Sequence, residues 1–334
     1  MYETFYRLRE RPFELTPNPR YLVETEIHRE ALSNLEYAIA GRKGVTLLVG
    51  EAGSGKTTVI RAAMAKQTDL THCVHLHNPT LTRLEFMEML ASRFGLSERA
   101  QTSKTALLLE LEQLLRRRRD AHEGTVLIVD EAHGLPFKLL EEVRLLANIE
   151  TDSEKLLSLV IAGQPEIADH LNHPSMRQLK QRIELRCELR PLQRLETFTY
   201  LACRIRAAGG VSAEVFTRDA VEVIHERSRG NPRTINVIAD NALIAGLALG
   251  QRPVMSQTVV EVCREFDIPS GSAPESAIEP VGPNGSKSTH SIQDSAQRES
   301  QPASAASMKN AEIPRRAATG TFGWKAIWPS DRHS

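Results

Sequence analysis

The sequence predicts an α/β protein with a five-stranded parallel sheet, followed by an α-helical lid domain and a disordered C-terminal tail. Short apolar runs alternate with helical patterns over residues 42–190, which is typical of parallel strands joined by crossover helices. Helical patterns alone fill residues 191–267. Residues 268–334 are rich in Ser, Pro, Ala, Gly and Gln, and such a composition buries too little apolar surface to offset the entropy of ordering.

Length, charge and cysteine usage limit the class of protein. A chain of 334 residues is long enough for roughly two domains. Its 42 basic residues balance 42 acidic ones, so the overall charge does not point to nucleic acid, although a local basic patch remains open. Four scattered cysteines indicate free thiols in a reducing compartment. Because neither a signal peptide nor an apolar run of about 20 residues is present, we expect a cytoplasmic protein without a transmembrane segment.

Residues 1–41 form an N-terminal arm and a helix that we expect to pack on the α/β core. Three prolines within residues 11–22 prevent regular helix and favour an extended arm. The apolar spacing of residues 26–40 then predicts an amphipathic helix. The arm and helix either flank a bound nucleotide base or cover one edge of the sheet.

A phosphate-binding loop lies between the first strand, predicted at 45–49, and the helix that follows it. Residues 50–57 match G-x-x-x-x-G-K-[ST] at every position. The glycines permit positive φ, so that main-chain amides can converge on phosphate oxygens at a helix N-terminus. Lys56 supplies a charge for the β- and γ-phosphates, and the Thr57 hydroxyl suits Mg²⁺. The predicted nucleotide-binding residues are Gly50, Glu51, Ala52, Gly53, Ser54, Gly55, Lys56, Thr57 and Thr58.

The second predicted strand, at 72–77, carries three histidines and a cysteine. Strand alternation places Cys73, His75 and His77 on one face, which raises the alternative of a metal site. Their in-line spacing lacks the separated pairs of ligands found in zinc sites. We therefore interpret this segment as an ordinary strand of the sheet.

Helices are predicted next at 81–94 and 103–119, and the second ends in four consecutive arginines. Residues 116–119 complement the helix dipole, and such a run is typical of a solvated face. Contact with nucleic acid or with an acidic partner is the alternative.

An acidic pair, Asp130 and Glu131, lies at the end of the buried strand predicted at 125–130. The carboxyl end of a parallel strand is where open α/β sheets bind ligands. We expect Asp130 to hold Mg²⁺ and Glu131 to orient and polarise the water that attacks the γ-phosphate, so that the chain binds and hydrolyses ATP.

Two further segments carry candidate catalytic residues after the helix predicted at 136–149. The strand predicted at 156–162 ends next to Gln164, a candidate sensor of the γ-phosphate. A basic segment before the strand at 183–189 holds Arg182, the first choice for an arginine finger acting on a neighbouring subunit, and Arg177, the second choice.

The C-terminal third supplies a lid arginine and an aromatic segment. The lid helices are predicted at 194–208, 217–228 and 232–249, and Arg233 projects from the start of the last one. Residues 322–328 contain both tryptophans of the chain and are either a docking peptide for a protein partner or a chance feature.

The order of these motifs looks like the AAA+ (ASCE-type) architecture of P-loop NTPases. More narrowly, residues 1–267 resemble the ExeA/GspA group of general-secretion-pathway ATPases. The motifs that carry this resemblance are Pro12–Pro19, His28–Leu32, the GEAGSGKT loop, Val129–His133, Leu145–Thr151 and Gly163–Glu166.

This resemblance implies ATP and Mg²⁺ as ligands, and a homo-oligomer with active sites at subunit interfaces. It assigns ATP turnover to Lys56, Asp130 with Glu131, Gln164, Arg182 and Arg233. The sequence lacks the membrane helix and peptidoglycan-binding domain of secretion-type members, and its core is also similar to that of transposition regulators. A DNA-dependent regulator and a nucleotide-gated scaffold with little turnover are therefore the alternatives to an ATPase that drives a secretion or export complex.

Overall fold

The computed structural model describes residues 1–16, 21, 23, 25–77, 81–152 and 154–268. Its centre is a five-stranded sheet with strand order β2-β3-β4-β1-β5, in which every pairing is parallel. The strands are β1 (Val45–Gly50), β2 (Thr71–Leu76), β3 (Gly124–Val129), β4 (Ser158–Gly163) and β5 (Ile183–Leu189).

Fourteen α-helices accompany this sheet in the described part of the chain. The first nine are α1 (Tyr2–Phe5), α2 (Glu26–Ala40), α3 (Lys56–Ala65), α4 (Arg83–Phe94), α5 (Glu98–Thr102), α6 (Lys104–Asp120), α7 (Phe137–Leu146), α8 (Glu166–Asn172) and α9 (Arg177–Lys180). The remaining five are α10 (Arg194–Ala207), α11 (Ser212–Val215), α12 (Arg218–Ser228), α13 (Pro232–Ala248) and α14 (Ser256–Glu265).

Helices cover both faces of the sheet, which is why its central strands are continuously apolar. Every residue of β1 and of β4 is buried. Strand alternation divides these side chains between two apolar clusters. Leu48 packs with residues of α2 and α3 on one face, and Leu47 packs with residues of α4, α6 and α7 on the other. The predicted α/β fold with five strands is confirmed.

The C-terminal helices enclose a separate apolar cluster, and the N-terminal arm belongs to it. Tyr2, Tyr6 and Phe13 are buried among residues of α10, α12, α13 and α14. These three aromatic side chains therefore pack on the helical domain and not on the α/β core as predicted, whereas residues of α2 pack against the sheet. Each of them buries a large apolar surface there.

Several short elements escaped prediction. The sequence analysis did not include α1, α5, α8, α11 or α14, whereas α9 lies in the basic segment at 175–182, which is predicted to be helical. Four of them are seven residues or shorter and contain too few turns to show a helical period. Ile268, the first residue of the predicted tail, packs against the helical domain. Residues 269–334, including the aromatic segment at 322–328, lie outside the described residues. No described helix has the length and apolar character needed to span a bilayer.

Candidate active site

The phosphate-binding loop connects β1 to α3 and uses glycine where the backbone is left-handed. Gly53 has φ of 79° and Gly55 has φ of 100°. The Lys56 side chain is buried, and its Nζ donates to the carbonyls of Gly50 (2.8 Å) and Glu51 (3.0 Å). Burial lowers the pKa of the Lys56 ammonium, while the nearby Glu131 and Asp130 carboxylates act in the opposite direction. The loop therefore keeps the Lys56 ammonium group buried at the end of β1.

The predicted metal ligands meet at the carboxyl edge of the sheet. Asp130 follows β3 and is fully buried, and the Thr57 hydroxyl donates to its Oδ2 at 2.8 Å. The Glu131 amide donates to Oδ1 at 2.9 Å. Burial by itself would raise the pKa of Asp130, but the nearby His75 imidazole and the hydrogen bonds from Thr57 and the Glu131 amide outweigh it and hold this pKa below its usual value. A charged carboxylate beside a hydroxyl is a donor set that fits Mg²⁺.

Glu131 projects next to this pair and faces a cavity. Its backbone is left-handed, with φ of 55°, and its side chain is 38% exposed. This conformation turns the chain sharply after β3, so consecutive acids take different surroundings. Asp130 is enclosed and Glu131 reaches solvent, as a metal ligand and a water-activating base respectively would require.

Gln164 is linked to Glu131 through a histidine. The Gln164 amide donates to His133 Nδ1 (3.4 Å), and its side-chain Nε2 lies 2.7 Å from His133 Nε2. His133 Nε2 in turn lies 3.6 Å from Glu131 Oε2. Among the described residues, Gln164 is not part of the cavity wall. The sequence analysis did not anticipate His133 between the two.

The helical domain contacts the phosphate-binding loop at the start of α13. Asn231 Nδ2 donates to the Ala52 carbonyl at 2.7 Å, and the Arg233 amide donates to the Gly53 carbonyl at 3.3 Å. A side chain at position 53 would lie 2.4 Å from Arg233 Cβ, so the close approach requires glycine there. Asn231 Oδ1 also caps α13 by accepting from the Arg233 and Thr234 amides. The lid and the loop are therefore joined by one side-chain and one main-chain hydrogen bond, both of which end on loop carbonyls.

Replacing Asn231 by alanine should destabilise the folded chain. The variant loses the α13 cap and the bond to Ala52, and each loss is worth about 1 kcal/mol. We expect the free energy of unfolding in urea to fall by about 1–2 kcal/mol. Asn241→Ala is the matched control, because Asn241 lies on the same helix and bonds only its own helical turn through the Val237 carbonyl. An equal loss in both variants would contradict a role for Asn231 between the lid and the loop.

A cavity of about 520 Å³ lies between the loop, the lid and the arm. Lys56, Thr57, Glu131 and Arg233 are among the residues that line it. The lining also includes Glu14, Leu15, Thr16, Tyr21, Val23, Tyr200, Arg204 and Asn236. The Arg204 guanidinium is buried against the rings of Tyr21 and Tyr200 and donates to the Tyr200 hydroxyl at 2.7 Å. A cavity lined by both phosphate-binding groups and aromatic rings has the chemistry expected of a nucleotide site.

His28 contacts the phosphate-binding loop from α2. The sequence analysis did not identify it as a site residue. It is buried, its Nδ1 lies 2.7 Å from the Thr25 hydroxyl, and its Nε2 lies 3.1 Å from the Ser54 carbonyl. Burial lowers the pKa of His28, and the hydrogen bond to Ser54 offsets only part of that effect. The imidazole is therefore neutral in the folded protein at pH 7.

The neutral state of His28 predicts a loss of stability in mild acid. A pKa lowered by folding means that the unfolded chain binds more protons between the folded pKa and about 6.5. Stability is thus full above pH 6.5 and falls as the pH drops toward the folded value. Burial also lowers the pKa of His225, which therefore contributes in the same direction. We expect His28→Gln to reduce the difference in the free energy of urea unfolding between pH 7.5 and pH 5.5, and exposed His122→Gln to leave it unchanged.

His75 and His77 also enter the site, from β2. His75 Nε2 lies 3.6 Å and His77 Nδ1 lies 3.4 Å from Asp130 Oδ2. Cys73, which the alternation places on the same face, is not part of this group and packs against the apolar cluster beneath α2 and α3.

The two arginine-finger candidates lie away from the cavity of their own chain. Arg182 Nη1 donates to the Ala147 carbonyl at 3.1 Å, and Arg177 is exposed at the start of α9. Within the described residues, neither contributes to the cavity wall.

Comparison with known proteins agrees with this geometry. Residues 39–171 match the family model described as an AAA domain. Over 255 residues the chain is 39% identical to general secretion pathway protein A of Aeromonas hydrophila, and the match covers 76% of this chain and 46% of that protein. The chain thus spans about half the length of this curated relative. The resemblance to ExeA/GspA-like AAA ATPases is confirmed.

Solved structures show the same fold at low sequence identity. The ORC2 protein of Aeropyrum pernix, solved as ADPNP–ADP complexes, has a TM-score of 0.60 and 17% identity, and the match covers 79% of this chain and 73% of that one. Cdc6p of Pyrobaculum aerophilum has a TM-score of 0.58 and 19% identity, with 76% and 70% covered. These matches confirm the P-loop NTPase fold.

Proposed function

Because the chain resembles ExeA/GspA-like AAA ATPases, we propose that it binds Mg·ATP between the α/β core and the lid and hydrolyses it. The free energy of ATP binding and hydrolysis would drive lid rotation and subunit assembly and would not be used to form a chemical product. The observation that carries this proposal is that Lys56, Thr57 and Glu131 line a single cavity, while buried Asp130 accepts a hydrogen bond from Thr57.

Thr57 and Asp130 are the residues that would hold Mg²⁺. When bound, this ion supplies charge neutralisation for the β- and γ-phosphates. In the structure, Thr57 bonds Asp130 directly and Lys56 bonds two loop carbonyls. These contacts keep the polar groups satisfied and oriented until phosphate oxygens replace them.

Glu131 is the proposed general base for the attacking water. Its carboxylate faces the cavity, and His133 and Gln164 stand behind it as positioning residues. Through this chain of contacts, Gln164 would report the state of the γ-phosphate indirectly, by way of the Glu131 side chain.

The lid and a second subunit complete the proposed mechanism. Arg233 lines the cavity from the start of α13, where its charge can follow the phosphates as the lid rotates. Arg182, with Arg177 as second choice, would act on the nucleotide of a neighbouring subunit, since neither side chain lines the cavity of its own chain. This assignment requires a homo-oligomer with active sites at subunit interfaces.

An export-associated role is favoured over a DNA-dependent one. The relative with 39% identity is named as a general secretion pathway protein. The arginines of residues 116–119, which suggested a nucleic-acid contact, bond to groups of the same chain. Their partners are Glu112 for Arg116, the Gln113 carbonyl for Arg117, the Thr125 hydroxyl for Arg118 and Glu154 for Arg119.

Steady-state phosphate release by the purified chain tests this function. We expect hydrolysis that requires both ATP and Mg²⁺, with a specific activity that rises with protein concentration as interfaces form. Binding of ATP without turnover at any concentration would favour the scaffold alternative. Turnover that depends on duplex DNA and falls steeply with salt would favour the DNA-dependent regulator.

A further inference from the structure

Two histidines and a carboxylate converge beside the phosphate-binding loop. The donor atoms His75 Nε2, His77 Nδ1 and Asp130 Oδ2 all lie within 4.8 Å of one another. The proposed function uses Asp130 as a ligand for Mg²⁺, but nothing in the proposed hydrolysis uses the two histidines.

The sheet holds these three side chains on one face. Parallel pairing aligns His75 with Ile128 and Leu76 with Val129, so His77 and Asp130 are the next residues on the two strands. The Asp130 amide donates to the Leu76 carbonyl at 2.9 Å, so the backbone hydrogen bonds between β2 and β3 continue as far as Asp130. Since side chains alternate along a strand, His75, His77 and Asp130 all face the side that carries α3. Their convergence is therefore built into two paired strands rather than into a loop.

The separations suit a metal ion better than direct hydrogen bonds. The two nitrogens lie 3.6 and 3.4 Å from the shared carboxylate oxygen. In a tetrahedral site with metal–ligand bonds of about 2.0–2.2 Å, neighbouring donor atoms lie about 3.3–3.6 Å apart. His75 Nε2 is buried and has no hydrogen-bond partner within the described part of the chain, which is costly unless a further group satisfies it. His77 is 54% exposed, so the group is open to an incoming ion.

The ligand types select the class of ion. Imidazole nitrogens suit zinc and its first-row neighbours, whereas Mg²⁺ favours oxygen ligands in a near-ideal octahedron. Two histidines with one carboxylate also form an open set, because a fourth position remains for water or a phosphate oxygen.

We propose that His75, His77 and Asp130 form a binding site for a divalent transition-metal ion, with Zn²⁺ as the favoured occupant. The binding itself is independent of the proposed function. One consequence rests on that function: an ion held here occupies Asp130 Oδ2, the oxygen that accepts from Thr57, and so competes with Mg·ATP for the same carboxylate.

Cobalt titration of the chelator-treated full chain, without nucleotide, tests the site directly. We expect visible absorption bands of a low-symmetry Co²⁺ complex that saturate at about one ion per chain, and that Zn²⁺ but not millimolar Mg²⁺ abolishes. His77→Ala should weaken Co²⁺ binding at least about 100-fold, since loss of a direct ligand exceeds the 10–100-fold effect typical of outer-shell changes. Its exposed position makes this variant compatible with folding.

His72→Ala is the matched control on the same strand. His72 alternates to the opposite face and contacts Glu123 at 2.6 Å, so its loss should leave Co²⁺ binding unchanged. His75→Ala provides a second test, with circular dichroism to confirm that the variant is folded. The proposal is overturned if the parent chain shows no saturable Co²⁺ bands, or if His77→Ala binds Co²⁺ as tightly as the parent does. Because nucleotide is absent, neither result depends on whether the chain hydrolyses ATP.

Discussion

Lys56→Ala should reduce the affinity of the chain for ATP by at least about 100-fold, because charge-assisted hydrogen bonds to phosphate are each worth about 1.5–3 kcal/mol. The ammonium is buried at the end of β1 and is held by the Gly50 and Glu51 carbonyls. Alanine removes the charge and leaves these two carbonyls without their donor. Fluorescent ATP-analogue titration measures the loss.

Lys66→Ala is the control for this change. Lys66 directly follows α3, at the far end of the helix from the loop, and forms an exposed ion pair with Glu36. The control variant should bind nucleotide like the parent chain. If Lys56→Ala also binds like the parent, Lys56 does not contact the phosphates.

Glu131→Gln should separate ATP binding from turnover. Glutamine keeps the size of the side chain but cannot accept a proton from water, and loss of a general base typically costs about 10²–10⁴-fold in rate. Asp130, Thr57 and Lys56 are untouched, so nucleotide affinity should stay within about threefold of the parent value. Steady-state phosphate release and analogue titration together provide the comparison.

Glu88→Gln serves as the matched charge change. Glu88 is exposed on α4, on the opposite side of the sheet from α3, and its replacement should alter neither rate nor affinity. Unchanged phosphate release by Glu131→Gln would remove Glu131 from its proposed role. A parallel loss of affinity would instead indicate that this carboxylate helps to hold the nucleotide.

The sequence predicted the core of the site because its chemistry is local. The glycines and Lys56 occupy one loop, and Asp130 and Glu131 directly follow an apolar run. Parallel strands end at the same sheet edge, so the meeting of Thr57 with Asp130 follows from the fold class. The strand order does not follow in this way, since no local pattern records that β1 lies between β4 and β5.

The parts that escaped prediction depend on contacts between distant segments. His28 reaches the Ser54 carbonyl from the preceding helix, and Asn231 reaches the Ala52 carbonyl from the helical domain. A local helical pattern does not reveal that either side chain contacts a loop carbonyl, because each partner lies in a distant segment of the chain. For the same reason the sequence does not indicate which apolar cluster receives Tyr2, Tyr6 and Phe13.

A crystal structure of the chain with Mg²⁺ and a non-hydrolysable ATP analogue tests the central claim most directly. We predict a triphosphate in the cavity, with its γ-phosphate within hydrogen-bond reach of Lys56 Nζ and next to the Glu131 carboxylate. The base should lie toward Tyr21 and Tyr200, which also line the cavity. An analogue bound elsewhere, with the Lys56 ammonium still on the Gly50 and Glu51 carbonyls, would contradict the account.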